Sequence, residues 1–582
     1  LKLQLAVCCC CGPVCAQSSP RAMDRRVRRK ASAVWALCLA LWGRRHLFHG
    51  RAAGPGSAPS AALAVSRPSS LPRQQRRLLT RRRAAAVRPA TIDAPRLTNL
   101  LSKASSASAV MGVLESSLHG PVFDSGHMVV AFARLAHFED SLSIERMRRS
   151  DLAELISLAD GILLTGEARA STVSGIFWSV AVLHSKLPQM LKLLPALIEM
   201  IKYRAGDLDS QGIANVLWGV ARLKLPRSKS QEVLSIVCEM AVDKADLFRP
   251  QEIANIIWAG ATLRKSAPEL LQIMPALQEV AVEQCEYMKN HELSIVVWSA
   301  ATLQTEAPAL SDALPTILQE VAKRMDSMPA RQVANIFWAA AAMKRHRSVF
   351  RPVLPGLTER ALNTSSSMNG QDFANTIWAC AVLSRAVPFL VPSIPKLLQA
   401  AVAKIDGMSS LNIANIVWAV GETRQAGAES DEHLRRLMSK AATCLQDFTS
   451  QQMANMCWGF ASCSMGDPDF MTKVAKEVVR VAPGMSDKAA DWDLPEITCS
   501  FAKLGMRHRK MLSAVALRVS PLLPRLPDWR LSALKWSYDE LDAAGLFLDF
   551  RRRLQAEVER RGISPAQVES SPLGPKFWRR KP

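Results

Sequence analysis

The sequence predicts an all-α fold, and three observations predict it. Eight tryptophans, Trp178, Trp218, Trp258, Trp298, Trp338, Trp378, Trp418 and Trp458, stand 40 residues apart with no insertion or deletion between them. One phrase recurs around them: QGIANVLWGVARL at Trp218, QEIANIIWAGATL at Trp258, RQVANIFWAAAAM at Trp338, QDFANTIWACAVL at Trp378. Between the phrases the apolar residues keep helical spacing, and no alternating strand pattern appears. A fixed period of this size marks a repeat array. The array expected is a right-handed α-solenoid of about eight regular 40-residue helical hairpins with degenerate terminal repeats, an armadillo- or HEAT-like superhelix. At 582 residues one globular core is too large, whereas an array needs only neighbour-to-neighbour burial. The 49% hydrophobic content, with 6% aromatic residues, makes that burial mainly aliphatic and Ala-based.

Five segments follow in order. Residues 1–92 read as a disordered leader that targets an organelle. Met23 is read as the start. From Arg25 to Ile92 there are sixteen Lys or Arg and no Asp or Glu, the composition of a transit peptide. Within it the apolar run Ala31–Trp42 suits a signal-peptide core. Together they resemble the two-part leader of complex plastids, with a mitochondrial leader as the alternative. A disordered basic arm touching nucleic acid is the third reading. Residues 93–170 form an N-terminal degenerate repeat, with Leu97–Ala104 helical and Val130 in the tryptophan slot. Residues 171–465 are the regular repeats.

Each regular unit has a helix A from about seven residues before Trp to six after. Ser210, Asn290, Ser410 and Ser450 are the expected caps. A turn follows, with Pro at 188, 268, 308 and 388. Helix B then opens on Pro195, Pro275, Pro315, Pro355 or Pro395 in its first turn. Residues 466–548 hold degenerate repeats, with Cys499 and Trp536 in the tryptophan slot, and 549–582 read as a basic tail.

On a helical wheel with Trp as zero, the aliphatic residues at −5, −2, −1 and +5 fill one arc, and Trp with the Ala at −4 and +3 the opposite one. Trp is read there as a packing wedge. The stripe left between contains −6, −3, +1 and +4. Position −3 is Asn215, Asn255, Asn335, Asn375, Asn415 and Asn455 in six of the eight units. Position +1 is always small. The variable neighbours include Glu252, Gln332, Asp372, Asn412 and Gln452 at −6 and Arg222 at +4. A constant Asn with changing polar neighbours is how helical repeats read one base apiece. The same Asn could instead tie backbone groups between repeats. At +6 and +7 stand Lys224, Arg264, Lys265, Lys344, Arg345, Arg385 and Arg424, a basic rail for phosphates or a set of helix C-terminal cations.

Charge distribution limits what can be claimed. The formal charge is +23, yet residues 93–500 sum to −3, so total charge says nothing about the array. The thirteen cysteines show no paired CxxC, and no metal site or cofactor is expected. Buried reduced thiols are the reading for Cys238, Cys380 and Cys457. No His pairs with Cys, Ser or Asp in a recognisable motif and no phosphate loop occurs, so an enzyme is not expected.

The phrase (Q/E)-(I/V)-A-N-(I/L)-(I/L/V)-W-A-x-A-x-L in a helical hairpin resembles the octotricopeptide-type repeats. It is also similar to the arrays of FAST-kinase-like and RNA-editing substrate-binding complex proteins. The likeness covers roughly 93–548. It implies an RNA-binding factor of mitochondria or plastids acting in transcript stabilisation, processing, editing or translation. Single-stranded RNA, and other organellar RNA-processing proteins, are the implied partners. Relatives often end in a nuclease-like RAP module; none is recognised here, so the resemblance carries no nuclease expectation. The alternative is an armadillo-like scaffold whose Asn and Trp clamp an extended peptide. No membrane-integral segment is expected in the mature protein.

Overall fold

A computed structural model describes residues 93–138, 149–343, 347–423, 428–542 and 544–563, all within one contact unit, Ala90–Pro582. The leader 1–92 lies outside the described residues, as do Lys344, Arg345, Arg424 and the end of the chain from 564.

The described residues are helical, without strands, and stack as an α-solenoid. The eight A helices are Ala170–Leu183, Ser210–Leu223, Pro250–Leu263, Asn290–Thr302, Ala330–Ala342, Gly370–Leu383, Ser410–Thr423 and Ser450–Ser462. Each packs on the A helix before and after it, and each B helix lies behind its own A helix. The aliphatic arc does this work: Ile253, Ile256 and Ile257 are fully buried, each contributing roughly 2 kcal/mol.

Proline sets the connections. Pro188 and Pro268 open 3-10 turns, and Pro195, Pro275, Pro315 and Pro355 sit in the first turns of the B helices that follow. A missing N–H costs nothing at those places.

The caps differ from expectation by one residue. Asp209, Ser409 and Thr449 precede the helices and accept from the N–H groups of Gly212, Asn412 and Gln452. Ser410 and Asn290, one position later, bond the segment that leads into the next A helix, at Asp447 O (3.1 Å) and Ser327 Oγ (2.9 Å), and Ser450 bonds Asp493 Oδ2 (2.5 Å) on the next A-type helix.

A second latch had no sequence signature. Long side chains at the end of five B helices reach the carbonyl that ends the preceding B segment. Lys244 Nζ donates to Leu208 O at 2.6 Å, Gln284 Nε2 to Phe248 O at 3.0 Å and Lys404 Nζ to Met368 O at 2.8 Å. Arg360 Nε reaches Met328 O at 2.7 Å from one turn earlier, and Arg324 donates to Met288 O. The charge-assisted bonds among these, from Lys244, Arg324, Arg360 and Lys404, contribute about 1.5–3 kcal/mol each.

Beyond Trp458 the stacking continues through Asp487–Lys503 and Asp528–Leu541. The stretch read as a basic tail instead begins with a helix, Leu548–Arg560, that buries Phe550, Leu554 and Val558. Its arginines hid an apolar i, i+4, i+8 stripe. Arg561, just after it, donates to Leu526 O at 2.6 Å.

Candidate functional site

The regular A helices expose one narrow line of side chains. It runs through positions −7, −3, 0 and +4, which lie within a 60° arc of the wheel. At −7, Gln211, Gln251, His291, Arg331, Gln371 and Gln451 are exposed. At −3 the six asparagines are half-buried, and at +4 Arg222 is exposed while Thr262, Thr302 and Ser462 are half-buried. None of the six Asn side chains has a hydrogen-bond partner among the described residues. They therefore do not tie repeats together.

Tryptophan belongs to this line. From Trp178 to Trp418 the indoles are half-buried, each with one part packed on the core. They stand beside one another: Trp178 and Trp218 at 6.2 Å between rings, Trp218 and Trp258 at 5.9 Å, Trp298 and Trp338 at 5.8 Å, Trp418 and Trp458 at 6.1 Å. The rings tilt by 28–34° within these pairs. Such pairs stabilise by about 0.5–1.5 kcal/mol beyond burial. The expected packing role is thus only half of the picture, because the ladder also presents ring surface.

Two positions expected on the open stripe turn under it. At −6, Glu252, Glu292, Asp372 and Asn412 are buried. Their side chains accept from the backbone N–H three residues earlier: Arg249 N at 2.8 Å, Lys289 N at 2.7 Å, Asn369 N at 3.0 Å and Ser409 N at 3.1 Å. Half-buried Gln452 does so with Thr449 N at 3.0 Å. These are the reciprocal arms of N-terminal capping; Gln332 is half-buried, its Oε1 shut off without a partner. Burial pushes the Asp372 carboxyl up, against the Asn369 N–H that lowers it.

Position +1 is small for close approach, not openness. A Cβ on Gly219 would lie 2.6 Å from Phe177 Cε1, and one on Gly459 2.6 Å from the Val417 carbonyl carbon. The wheel showed angle alone, while the neighbouring A helix covers the arc near 100–120°.

The rail is uneven. Lys224 is exposed where the chain turns left-handed at φ 49°, and Lys265 is exposed as well. Arg264 is half-buried, donates to Ala261 O at 3.1 Å and pairs with Glu306 at 3.7 Å. Exposed Arg385 pairs with Glu422 of the next repeat at 3.4 Å. The chain therefore offers cations beside the line but spends two of them on its neighbours.

Among the described residues no group of three or more His, Cys, Asp or Glu could hold a metal ion, and no helix is long and apolar enough to cross a membrane. Burial pushes the Cys238, Cys380 and Cys457 thiols up to about 12, which leaves them protonated packing residues.

Fold and line together define a helical-repeat protein with a linear polar and aromatic surface. Residues 202–509 match the family of the RNA-editing substrate-binding complex 6 protein, and the chain belongs to that family. No curated protein matches it. Among solved structures it is similar to a homology model of the full-length AP-3 complex in an intermediate open conformation, at 10% identity and a TM-score of 0.22, over 81% of this chain and 84% of that one.

Proposed function

We propose that the array binds single-stranded RNA along the −7, −3, 0, +4 line, within an organellar RNA-processing assembly, and acts by occupancy rather than chemistry. One observation carries this: six unpartnered amides, Asn215, Asn255, Asn335, Asn375, Asn415 and Asn455, recur beside half-open indoles. Each amide has a donor and an acceptor for a base edge. Indoles supply sequence-tolerant stacking. Arg222, Lys224 and Lys265 stand beside the line as phosphate contacts, with Lys344, Arg345 and Arg424, outside the described residues, as further candidates. The family's name, which refers to an RNA-editing substrate-binding complex, favours the same reading. RNA stabilisation, processing, editing or translation would each follow from occupancy.

The test is binding of the full chain to organellar RNA across a salt series. Affinity should fall steeply with salt. Asn255→Ala with Asn335→Ala and Asn375→Ala should weaken it at least about tenfold, and Arg222→Glu with Lys224→Glu should lower the salt slope. No salt-sensitive binding would sink the proposal. The near-neutral array also suits an armadillo-like peptide clamp, and partners retained after RNase treatment would favour that instead.

A further inference from the structure

The line changes character one helix past Trp458. In Asp487–Lys503 the −7 position is Trp492, 53% exposed, whereas the indoles of the regular repeats stand at zero and are at least half-buried. The −3 position is Glu496 in place of Asn, and the zero position is Cys499, fully buried. Trp492 and Glu496 are four residues apart and share a face. Lys488, exposed, stands one turn earlier on that face.

Behind Trp492 lies Arg530, only 2% exposed. Its guanidinium carbon sits 3.4 Å from the Trp492 ring centroid and 4.5 Å from that of Trp529, and its NH1 donates to Asp491 O at 3.2 Å. A guanidinium stacked between two indoles fixes the Trp492 ring. Among the described residues no other ring stacks on Trp492, which stays 53% exposed. A fixed, exposed ring beside a cation and a carboxyl is a plate for a planar group with N–H donors at its edge.

Resting on the RNA reading above, we infer that Trp492 stacks one nucleobase at the end of the bound strand, with Glu496 accepting from its edge and Lys488 facing its phosphate. Guanine suits the edge best, because its N1–H and N2–H donors are adjacent. Uracil suits it least, having one N–H between two carbonyls that a carboxylate repels. The neighbouring charges match a base rather than phosphate: Asp493 is engaged by Ser450 Oγ at 2.5 Å, and Arg530 faces Asp491, Asp493 and Glu496.

The experiment, run at pH 8 where Glu496 is ionised, uses the full chain and pools of single-stranded RNA 12-mers, randomised except for one position fixed as guanine or uracil and stepped along the strand. At one position near one end, guanine should bind about tenfold tighter than uracil. Trp492→Ala should abolish that preference, Trp492→Phe should keep most of it, and Glu496→Gln should narrow it. Urea unfolding of each variant separates folding loss from binding loss. If no position prefers guanine, or the preference survives Trp492→Ala, the inference fails. Asn255→Ala then decides the broader reading: weakened pool binding leaves it standing, unchanged binding removes it. Absence of pool binding by the natural chain overturns both.

Discussion

The regular repeats and the C-terminal units solve one problem, stacking a helix on its predecessor, by different chemistry. Between Trp178 and Trp458 the contact is small and neutral. Gly, Ala or Ser at +1 admits the neighbour, a polar −6 side chain caps its own helix in five units, and in six an Asn with Trp faces outward. Past Trp458 a buried Arg530 stands at −6, acids surround it, and Tyr538 donates its hydroxyl to Leu512 O at 2.6 Å. A repeated interface can rest on shape because its partner is always the same. The end of the array has a non-repeating partner and relies on specific polar bonds, as capping units do.

Overpacking the repeated contact should have the largest effect. Gly459→Val places a branched side chain where even a Cβ lies 2.6 Å from the Val417 carbonyl carbon. A loss of about 3 kcal/mol in urea unfolding is expected, against near-neutrality for Gly206→Ala, whose Cβ meets nothing within 4 Å. Equal effects at the two sites would remove the shape argument.

An intermediate effect is expected at the polar end. Burial, then the Asp493 charge, pushes the Glu496 carboxyl up to about 7 from 4.5. The folded chain holds this proton more tightly than the unfolded chain. That stabilisation is complete below pH 4.5 and is lost as pH rises through about 7. Glu496→Gln should match the natural chain at pH 4.5 and exceed its stability at pH 8 by about 1–2 kcal/mol. A constant difference at both pH values would show that Glu496 does not titrate there.

The smallest effect belongs to the caps. Glu292→Ala removes the 2.7 Å bond from Lys289 N and should cost about 1 kcal/mol. RNA affinity should not change, since Glu292 is 2% exposed. Weaker RNA binding at unchanged stability would return the −6 position to the reading line.

Much of the architecture was legible because it is periodic. Trp spacing fixed the repeat length, the aliphatic arc marked the buried face, and proline placed the B helices; none of these needs a distant partner to be recognised. The asparagines were also legible as an outward set. Which arc stays open was not. Angle alone put −6 and +1 beside Asn, and only the neighbouring A helix, 40 residues away in the chain, decides that this arc is covered while −7 and the indole stay open. The latches from Lys244, Arg324 and Lys404, and the Trp492–Arg530 stack, are contacts between residues more than 30 apart. Periodicity specifies a local helix face, whereas a contact between faces exists only once the helices are stacked.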